Sequence, residues 1–160
     1  MSQLLKKCKI EKLKEKEKGY LVGLYLGDGN IFINQEKGIY RLTFYLSPLD
    51  QQVSKKLQHL FGKLKLNVIR YYSKNGSLRV EIYSKKLIEW LTSIAYKQKN
   101  FIKLPQSHQF LVGFIEGMID SDGNIESSGR VNITTANKLL LRNILKALEK
   151  IEIKYYVLKR

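Results

Sequence analysis

The sequence is poor in the residues that build disulfides, zinc clusters and flexible linkers. Among its 160 residues it contains one cysteine, Cys8, and two histidines, His59 and His108. A single cysteine excludes an internal disulfide and indicates a reducing compartment. An essential metal would therefore be held by oxygen ligands, which suit Mg²⁺ or Mn²⁺. Two prolines and eleven glycines leave no long flexible linker, so we expect one compact body.

The sequence also lacks a long apolar run. The longest, Phe110 to Ile119, is about half the length needed to cross a bilayer, and Glu116 interrupts it. The leader, residues 1–18, alternates Lys with Glu and matches neither a secretory signal nor an acid-poor transit peptide. Because the leader has no aromatic face, it also argues against a membrane-surface protein. We expect no membrane partner, and a location in the cytoplasm (nucleoid) of a prokaryote, or in an organelle if the gene is organellar.

Positive charge, in contrast, is abundant. The chain has 29 Lys and Arg residues against 14 Asp and Glu residues, which gives a formal net charge of +15. Its isoelectric point is near 9.8. Such an excess costs stability through self-repulsion and indicates a polyanionic partner, of which nucleic acid is the leading candidate. The alternative is a solvated basic surface that binds nothing.

Hydrophobic periodicity and turn residues predict the order helix, strand, strand, helix, strand twice. The first pass begins with the apolar run Tyr20 to Leu26 and includes a hairpin that turns at Asn75-Gly76, the strongest short hairpin signal. The second pass begins at Phe110 and ends in a strand from Lys154 to Lys159. We therefore divide the chain into a charged leader (1–18), an N-terminal half (19–96), a linker (97–106) and a shorter C-terminal half (107–160).

The repeat is also visible residue by residue. At a constant offset, the second half repeats five residues of the first: Gly23, Asp28, Gly29, Asn30 and Ile31 recur as Gly117, Asp122, Gly123, Asn124 and Ile125. After a shorter turn, Arg41, Leu42 and Phe44 correspond to Arg130, Val131 and Ile133. The pattern indicates an internal duplication with pseudo-two-fold symmetry, and repeated halves commonly read DNA half-sites. We expect the chain to act as a monomer.

The repeated segments predict two helices that pack closely. Small residues lie four apart on each: Gly23 and Gly27 on the first, and Gly113, Gly117 and Ser121 on the second. Such stripes allow two helix backbones to approach. Asp28 and Asp122, which we expect just past the last turns, would then meet, and bound divalent cations would relieve their repulsion. Asp120 would point away from Asp122, as a local cap or a surface acid.

Residues 21–29 read LVGLYLGDG and residues 115–123 read IEGMIDSDG. Both resemble the LAGLIDADG motif of homing endonucleases, and two copies separated by a repeated sheet resemble the single-chain members, encoded by archaeal or organellar introns. The resemblance covers nearly the whole chain from Tyr20 onward. It implies an α+β fold of two pseudo-symmetric αββαββα-like halves, the second shortened. The motif helices would pair, and a curved antiparallel sheet would bind DNA in the major groove.

The resemblance also implies an activity. Family members are site-specific endonucleases that use divalent metal to hydrolyse both strands of a long double-stranded DNA target, leaving short 3′ overhangs. It assigns metal binding to the side chains of Asp28 and Asp122 and to the backbone of Gly27 and Ser121. Mg²⁺ is the expected ion; we expect Mn²⁺ to substitute and Ca²⁺ to support binding without cleavage.

The resemblance also bears on the residues around the acids. The family commonly has a basic residue before the second motif, a role that Lys99 or Lys103 fits; a lysine on a solvated connector is the alternative. Many members also place Gln and then Lys at the end of the second strand of each half. This chain instead has Leu46 and Ser47 in the first half, and Thr135 and Ala136 in the second. The family's water-organising contacts are therefore not carried over to these positions.

Strand alternation selects the side chains that would face DNA. They lie opposite the apolar face of each predicted strand. The candidates are Arg41, Thr43, Tyr45, Arg70, Tyr72, Arg79, Glu81, Tyr83, Arg130, Asn132 and Thr134. Arg41 and Arg130 are favoured because they correspond in the repeat.

Other functions remain open at this point. An RNA-splicing maturase, or a DNA-binding protein that does not cut, would use the same fold. An aspartyl protease also brings two acids together, but in Asp-Thr-Gly turns and without need of a basic surface. A purely structural module would require the repeated acids to be accidental.

Overall fold

The structure is a computed structural model that describes residues 8–95 and 99–159. Within those residues it contains a short 3₁₀ turn at Ile10–Lys12, five α-helices and six strands: α1 (Glu15–Asp28), β1 (Gly29–Asn34), β2 (Ile39–Leu46), α2 (Gln51–Lys63), β3 (Ile69–Tyr72), β4 (Leu78–Tyr83), α3 (Lys85–Ile94), α4 (His108–Asp122), β5 (Gly123–Ile125), β6 (Val131–Ile133) and α5 (Lys138–Lys150). Helix α1 begins inside the predicted leader. No described helix is long and apolar enough to span a membrane.

The described residues form two compact units, which do not follow the repeat. Unit 1 contains residues 8–14 and 28–93, and unit 2 contains residues 15–27, 94–95 and 99–159. Almost all of α1 therefore packs in the same unit as α4. The predicted division into two halves and a linker remains a prediction about how the chain is organised.

Unit 1 is built on a four-stranded antiparallel sheet with the strand order β1-β2-β4-β3. Leu42, Phe44 and Val80 point to one face and are fully buried. Helix α2 covers this face, where the rings of Phe61 and Phe44 lie 6.4 Å apart. The β3–β4 turn contains Gly76 at φ +84°, a conformation that favours glycine. Because side chains alternate along each strand, the sheet has one buried face and one polar face.

Unit 2 contains the paired helices α1 and α4, helix α5 and a two-stranded sheet, β5–β6. Helix α5 is capped by Asn137, whose Oδ1 accepts hydrogen bonds from the backbone N–H groups of Leu139 and Leu140. It buries Leu140 and Ile144 along one side. The register of β5 with β6 repeats that of β1 with β2.

That shared register supports the internal duplication. Gly29 lies opposite Phe44 in the first hairpin, and Gly123 lies opposite Ile133 in the second. These are the pairs that the sequence repeat aligns. In both hairpins, the helix ends at the motif acid and the strand begins at the next residue.

The prediction of a strand from Lys154 to Lys159 is wrong. The segment has no regular secondary structure, and Tyr156 is 96% exposed. In unit 1, the strand after α2 pairs with β4, but the second half has no counterpart of β4 among residues 99–159. An isolated strand leaves its backbone hydrogen-bonding groups without partners. A segment rich in β-branched and aromatic residues therefore does not become a strand by composition alone. The second half therefore contains two strands instead of three.

Candidate active site

The glycine stripes of α1 and α4 bring the two backbones into contact. A Cβ atom added to Gly117 would overlap the carbonyl oxygen of Tyr20 and would lie 2.7 Å from the backbone nitrogen of Leu24. A Cβ atom added to Gly23 would lie 3.1 Å from the Cα of Gly117. The stripe extends one turn further, to Gly19. The predicted close packing of the motif helices is confirmed, and only glycine fits at these positions.

Polar side chains also join the two helices. The Tyr20 hydroxyl donates a 2.8 Å hydrogen bond to Oδ2 of Asp120, and Lys16 forms a 3.0 Å ion pair with Glu116. The interpretation of Asp120 as a local cap or a surface acid is therefore wrong. Asp120 helps to hold the helix pair.

The prediction that both motif acids lie just past the last helical turn is wrong, because each acid lies inside its helix. Asp28 is the last residue of α1 and Asp122 the last residue of α4. Each is followed directly by a glycine that begins a strand. A Cβ atom added to Gly123 would lie 2.5 Å from the Cα and carbonyl oxygen of Ile119. Since Gly123 has φ −99°, the glycine is needed for space and not for a left-handed conformation.

The ends of the helix pair meet at Gly27. A Cβ atom added there would overlap the side chain of Ser121 and would lie 3.3 Å from Oδ2 of Asp122. The hydroxyl of Ser121 donates a 2.9 Å hydrogen bond to the carbonyl oxygen of Gly117. Asp28 is the next residue after Gly27 in the chain. The two residues predicted to offer backbone ligands, Gly27 and Ser121, thus lie side by side within unit 2.

Asp122 has an unusual electrostatic environment. Burial raises the pKa of its carboxyl group, and the charge of Lys99 opposes this shift. Lys99 is fixed in place: its Nζ donates a 2.6 Å hydrogen bond to the carbonyl oxygen of Tyr25 and lies 4.7 Å from the centre of the Tyr25 ring. A cation there also suits the C-terminal end of α1. Burial raises the pKa of Tyr25 to about 12.

The backbone of the connector helps to place this lysine. Lys99 adopts φ +66°, and its carbonyl oxygen accepts a 3.3 Å hydrogen bond from Nδ2 of Asn137. Phe101, two residues later, packs edge-on against Phe114 at 4.9 Å between ring centres. Lys103 is exposed on the same connector. Of the two predicted lysines, the structure brings Lys99 to the motif acid of α4.

The residues present are compatible with a divalent cation. Within residues 8–95 and 99–159, no cluster of three or more Asp, Glu, His or Cys side chains forms a complete metal site. A cation here would take its remaining ligands from backbone carbonyls, water and substrate phosphates, the usual pattern for Mg²⁺. Asp122, whose ionised form is disfavoured by burial, is a carboxylate that a cation would stabilise.

The polar face of the sheet in unit 1 contains most of the predicted DNA-facing residues of the first half. The register places Arg41 opposite Tyr83 and Tyr45 opposite Arg79. The guanidinium of Arg79 stacks at 3.9 Å from the centre of the Tyr45 ring, and that of Arg41 lies 5.0 Å from the ring centre of Phe32. These stacks hold both cations against the sheet.

Two residues of this face are less accessible than predicted. Thr43 is 3% exposed and Glu81 is 8% exposed. Both point to the predicted face, but little of either side chain reaches the surface. Register also adds residues of β1 that periodicity missed. Asn30 and Phe32 lie opposite Thr43 and Arg41.

Arg70 and Tyr72 were assigned to the wrong face. Arg70 lies opposite Val80 and Tyr72 opposite Leu78, both of which are core residues. Both side chains reach Gln51 on α2. Arg70 donates a 3.1 Å hydrogen bond to Oε1 of Gln51, and Nε2 of Gln51 donates a 3.1 Å hydrogen bond to the Tyr72 hydroxyl. A shift of one residue moves every side chain of a strand to the opposite face. The residues of β3 on the polar face are Ile69 and Tyr71.

The candidates in the second half lie at and beside the short hairpin. Arg130 is exposed just before β6. Asn132 donates a 2.8 Å hydrogen bond to Oε1 of Glu126. Thr134 is exposed, and its backbone N–H donates to the carbonyl oxygen of Asp122 at 3.3 Å. The hairpin is thereby tied to the end of α4.

Comparisons with known proteins agree with these observations. Residues 109–160 match the family model of the LAGLIDADG-like domain. The chain is 28% identical over 127 residues to the DNA-directed RNA polymerase subunit Rpo1C of Methanocaldococcus jannaschii, covering 74% of this chain and 14% of that protein. It is 26% identical over 131 residues to the uncharacterized protein MJ0398 of the same organism, covering 79% of this chain and 42% of the relative. The chain thus spans less than half the length of either relative.

Solved structures resemble the chain over most of its length. Mesophilic variants of the homing endonuclease I-DmoI match with a TM-score of 0.66 and 24% identity, over 84% of this chain and 76% of theirs. An I-DmoI variant in complex with its target DNA matches with a TM-score of 0.68 and 20% identity, over 86% and 78% of the two chains. The N-terminal LAGLIDADG domain of DUF199/WhiA matches with a TM-score of 0.58 and 14% identity, over 93% and 75%. Residues 109–160 thus match the model of a LAGLIDADG-like domain, and the fold of the chain resembles that of I-DmoI and of the N-terminal LAGLIDADG domain of DUF199/WhiA.

Proposed function

We propose that this chain is a site-specific homing endonuclease that cuts both strands of a long double-stranded DNA target and leaves short 3′ overhangs. The observation that carries the proposal is the duplicated motif, in which two glycine-striped helices each end in an aspartate and continue directly into a hairpin. The fold relatives support it, since I-DmoI is a homing endonuclease whose structures include target DNA. We further propose that the chain acts as a monomer, in the nucleoid or in an organelle.

Asp28 and Asp122 are the proposed metal-binding acids, with the carbonyl groups of Gly27 and Ser121. Bound Mg²⁺ would supply activated water and charge stabilisation for phosphodiester hydrolysis. The protein's own contribution is to hold the carboxylates at fixed helix ends. Backbone contact at the glycines keeps those ends from separating.

Lys99 is the proposed supporting cation of the site. Its ammonium is held at the end of α1 and acts electrostatically on Asp122, so it keeps positive charge where a scissile phosphate would carry negative charge. Lys103 serves as a matched control, because it lies on the same connector but is exposed. Lys99→Met should lower the rate of cleavage by at least about tenfold, and Lys103→Met should change it little. Equal rates in the two variants would remove Lys99 from the site.

The metal requirement tests the proposed chemistry. With a plasmid that carries the chain's target duplex, Mg²⁺ should support linearisation, Mn²⁺ should substitute, and Ca²⁺ should support binding without cutting. Excess EDTA should abolish cutting. Full cleavage in excess EDTA would contradict the proposed role of a divalent cation.

A non-cleaving nucleic-acid-binding protein, including an RNA-splicing maturase, is the second candidate. The observation that favours it is Leu46, which is 2% exposed and faces the core where many family members carry a polar residue. Target binding without cleavage in Mg²⁺ and in Mn²⁺ would favour this candidate. Binding preference for an intron RNA over duplex DNA would favour a maturase.

A further inference from the structure

The polar face of the sheet in unit 1 contains an acid held by two tyrosines. The hydroxyl of Tyr71 on β3 donates a 2.8 Å hydrogen bond to Oε1 of Glu81, and the hydroxyl of Tyr83 on β4 donates a 3.3 Å hydrogen bond to Oε2. Glu81 is 8% exposed, whereas Tyr71 and Tyr83 are 44% and 49% exposed. The carboxylate is therefore covered, and the two phenol groups that cover it are at the surface.

This arrangement determines the direction of each hydroxyl proton. A carboxylate has no proton to donate and only accepts hydrogen bonds, while a tyrosine hydroxyl can donate or accept. Both hydroxyls must therefore direct their protons inward to Glu81 and present oxygen lone pairs outward. The hydrogen bond to Glu81 is the largest cause that raises the pKa of Tyr71, against the opposing charges of Arg79 and Arg41. The proton is thus retained on the tyrosine.

The neighbouring cations do not compete for the acid. Arg79 stacks on Tyr45 and Arg41 lies over Phe32. Those contacts leave the carboxylate to the two tyrosines. The face therefore presents two cationic donors and, on adjacent positions of the sheet, a pair of oriented acceptors.

We propose that Glu81 is a positioning residue that makes Tyr71 and Tyr83 into hydrogen-bond acceptors for the amino group of cytosine or adenine in the major groove. The proposal rests on DNA binding by this face, as proposed above. In the major groove, cytosine N4 and adenine N6 are donors, whereas guanine O6 and thymine O4 are acceptors. A tyrosine that already donates its proton to Glu81 would place an acceptor oxygen against the acceptor oxygen of guanine or thymine, and no hydrogen bond would form. Because both hydroxyls contact one carboxylate, they can reach only neighbouring base pairs.

The test is a binding selection from randomised DNA duplexes in EDTA, so that it does not depend on cleavage. The wild-type chain should enrich cytosine or adenine at one or two adjacent positions. Tyr71→Phe or Tyr83→Phe should reduce this discrimination roughly two- to tenfold, the worth of one neutral hydrogen bond. Glu81→Gln should reduce it at the same positions, because the amide can donate to one tyrosine and free that tyrosine's proton. Preferences at all other positions should be unchanged.

Tyr72→Phe is the matched control, since Tyr72 lies on the opposite face of the same strand and should leave the profile as it is. Melting temperatures of all variants separate a loss of base preference from a loss of folding. A Glu81→Gln profile identical to that of the wild type would overturn the proposal and leave the network a purely structural role. Retained base preference in a chain that never cuts would support the proposal while contradicting the proposed nuclease function.

Discussion

The two repeats of this chain begin alike and end differently. In both, a glycine-striped helix ends in an aspartate and leads directly into a hairpin with the same register. The first repeat then adds α2, β3, β4 and α3, whereas the second adds only α5 before an irregular segment. The shared part carries the proposed chemistry, and the part that differs adds β3 and β4, which extend the proposed recognition surface of the first repeat. The comparison therefore separates what cutting requires from what site selection requires.

The largest effect should follow from breaking the part that the repeats share. Gly117→Val would force a branched side chain against the backbone at Tyr20 and Leu24, where no flexible side chain can yield. We expect the free energy of unfolding to fall by about 3 kcal/mol or more. Denaturant titration measures this change.

Gly62→Ala is the matched control for that experiment. Gly62 also lies in a helix, but an added Cβ atom meets nothing within 4 Å. Since glycine disfavours a helix, we expect this variant to be more stable by about 0.5 kcal/mol. If both variants lose the same stability, the close approach of α1 and α4 does not determine the requirement for glycine.

The next effect concerns the part in which the repeats differ. The first sheet has four strands and offers Arg41 and Arg79, whereas the second has two strands and offers Asn132, with Arg130 just before its second strand. Each well-read base pair is typically worth about 1 to 3 kcal/mol. Base substitutions in the half-site read by the first repeat should therefore cost more than those in the other half-site. A cleavage profile over all single-base variants measures this, and equal stringency in both half-sites would refute the asymmetry.

The two faces of the first sheet can be compared with a matched pair of arginines. Arg79 stacks on Tyr45 on the polar face, whereas Arg70 contacts Gln51 on the side that α2 covers. Arg79→Gln should weaken target binding by about 1 to 3 kcal/mol, and Arg70→Gln should change it by less. Titration of labelled target duplex measures both. A larger loss for Arg70→Gln would mean that DNA approaches from the other face.

The same comparisons show which features of the fold can be predicted from the sequence. The motif helices, both hairpins and the glycine contacts could be predicted because small residues and turns depend on local chemistry. The face of β3 could not, since alternation distinguishes two faces but only pairing with β4 decides which one holds Arg70. The strand at residues 154–159 failed for a related reason, because a strand needs a partner.

The repeat in the sequence selects Asp28 and Asp122 as candidates but does not reveal what surrounds them. The role of Asp120 as a hydrogen-bond acceptor for Tyr20, across 100 residues of sequence, left no local signal. Neither did the choice of Lys99 over Lys103, which depends on the left-handed turn of the connector.

The smallest expected effect is on stability near the motif acid. Burial raises the folded-state pKa of Asp122, so its contribution to stability is fully present below the unfolded pKa of about 3.9 and is lost as the pH rises through the folded value. Asp122→Asn, which cannot ionise, should therefore melt at a slightly higher temperature than the wild type at neutral pH in EDTA. The difference should disappear as the pH is lowered toward 4. A lower melting temperature for the variant at neutral pH would contradict the assigned cause.

Cleavage of a target plasmid in Mg²⁺ by Asp28→Asn, Asp122→Asn and Asp120→Asn tests the central claim most directly. The account predicts that the first two variants bind the target but fail to make a double-strand break. Asp120→Asn should still cut, because its amide oxygen can accept the hydrogen bond from Tyr20. Cleavage at the wild-type rate by both Asp28→Asn and Asp122→Asn would contradict it.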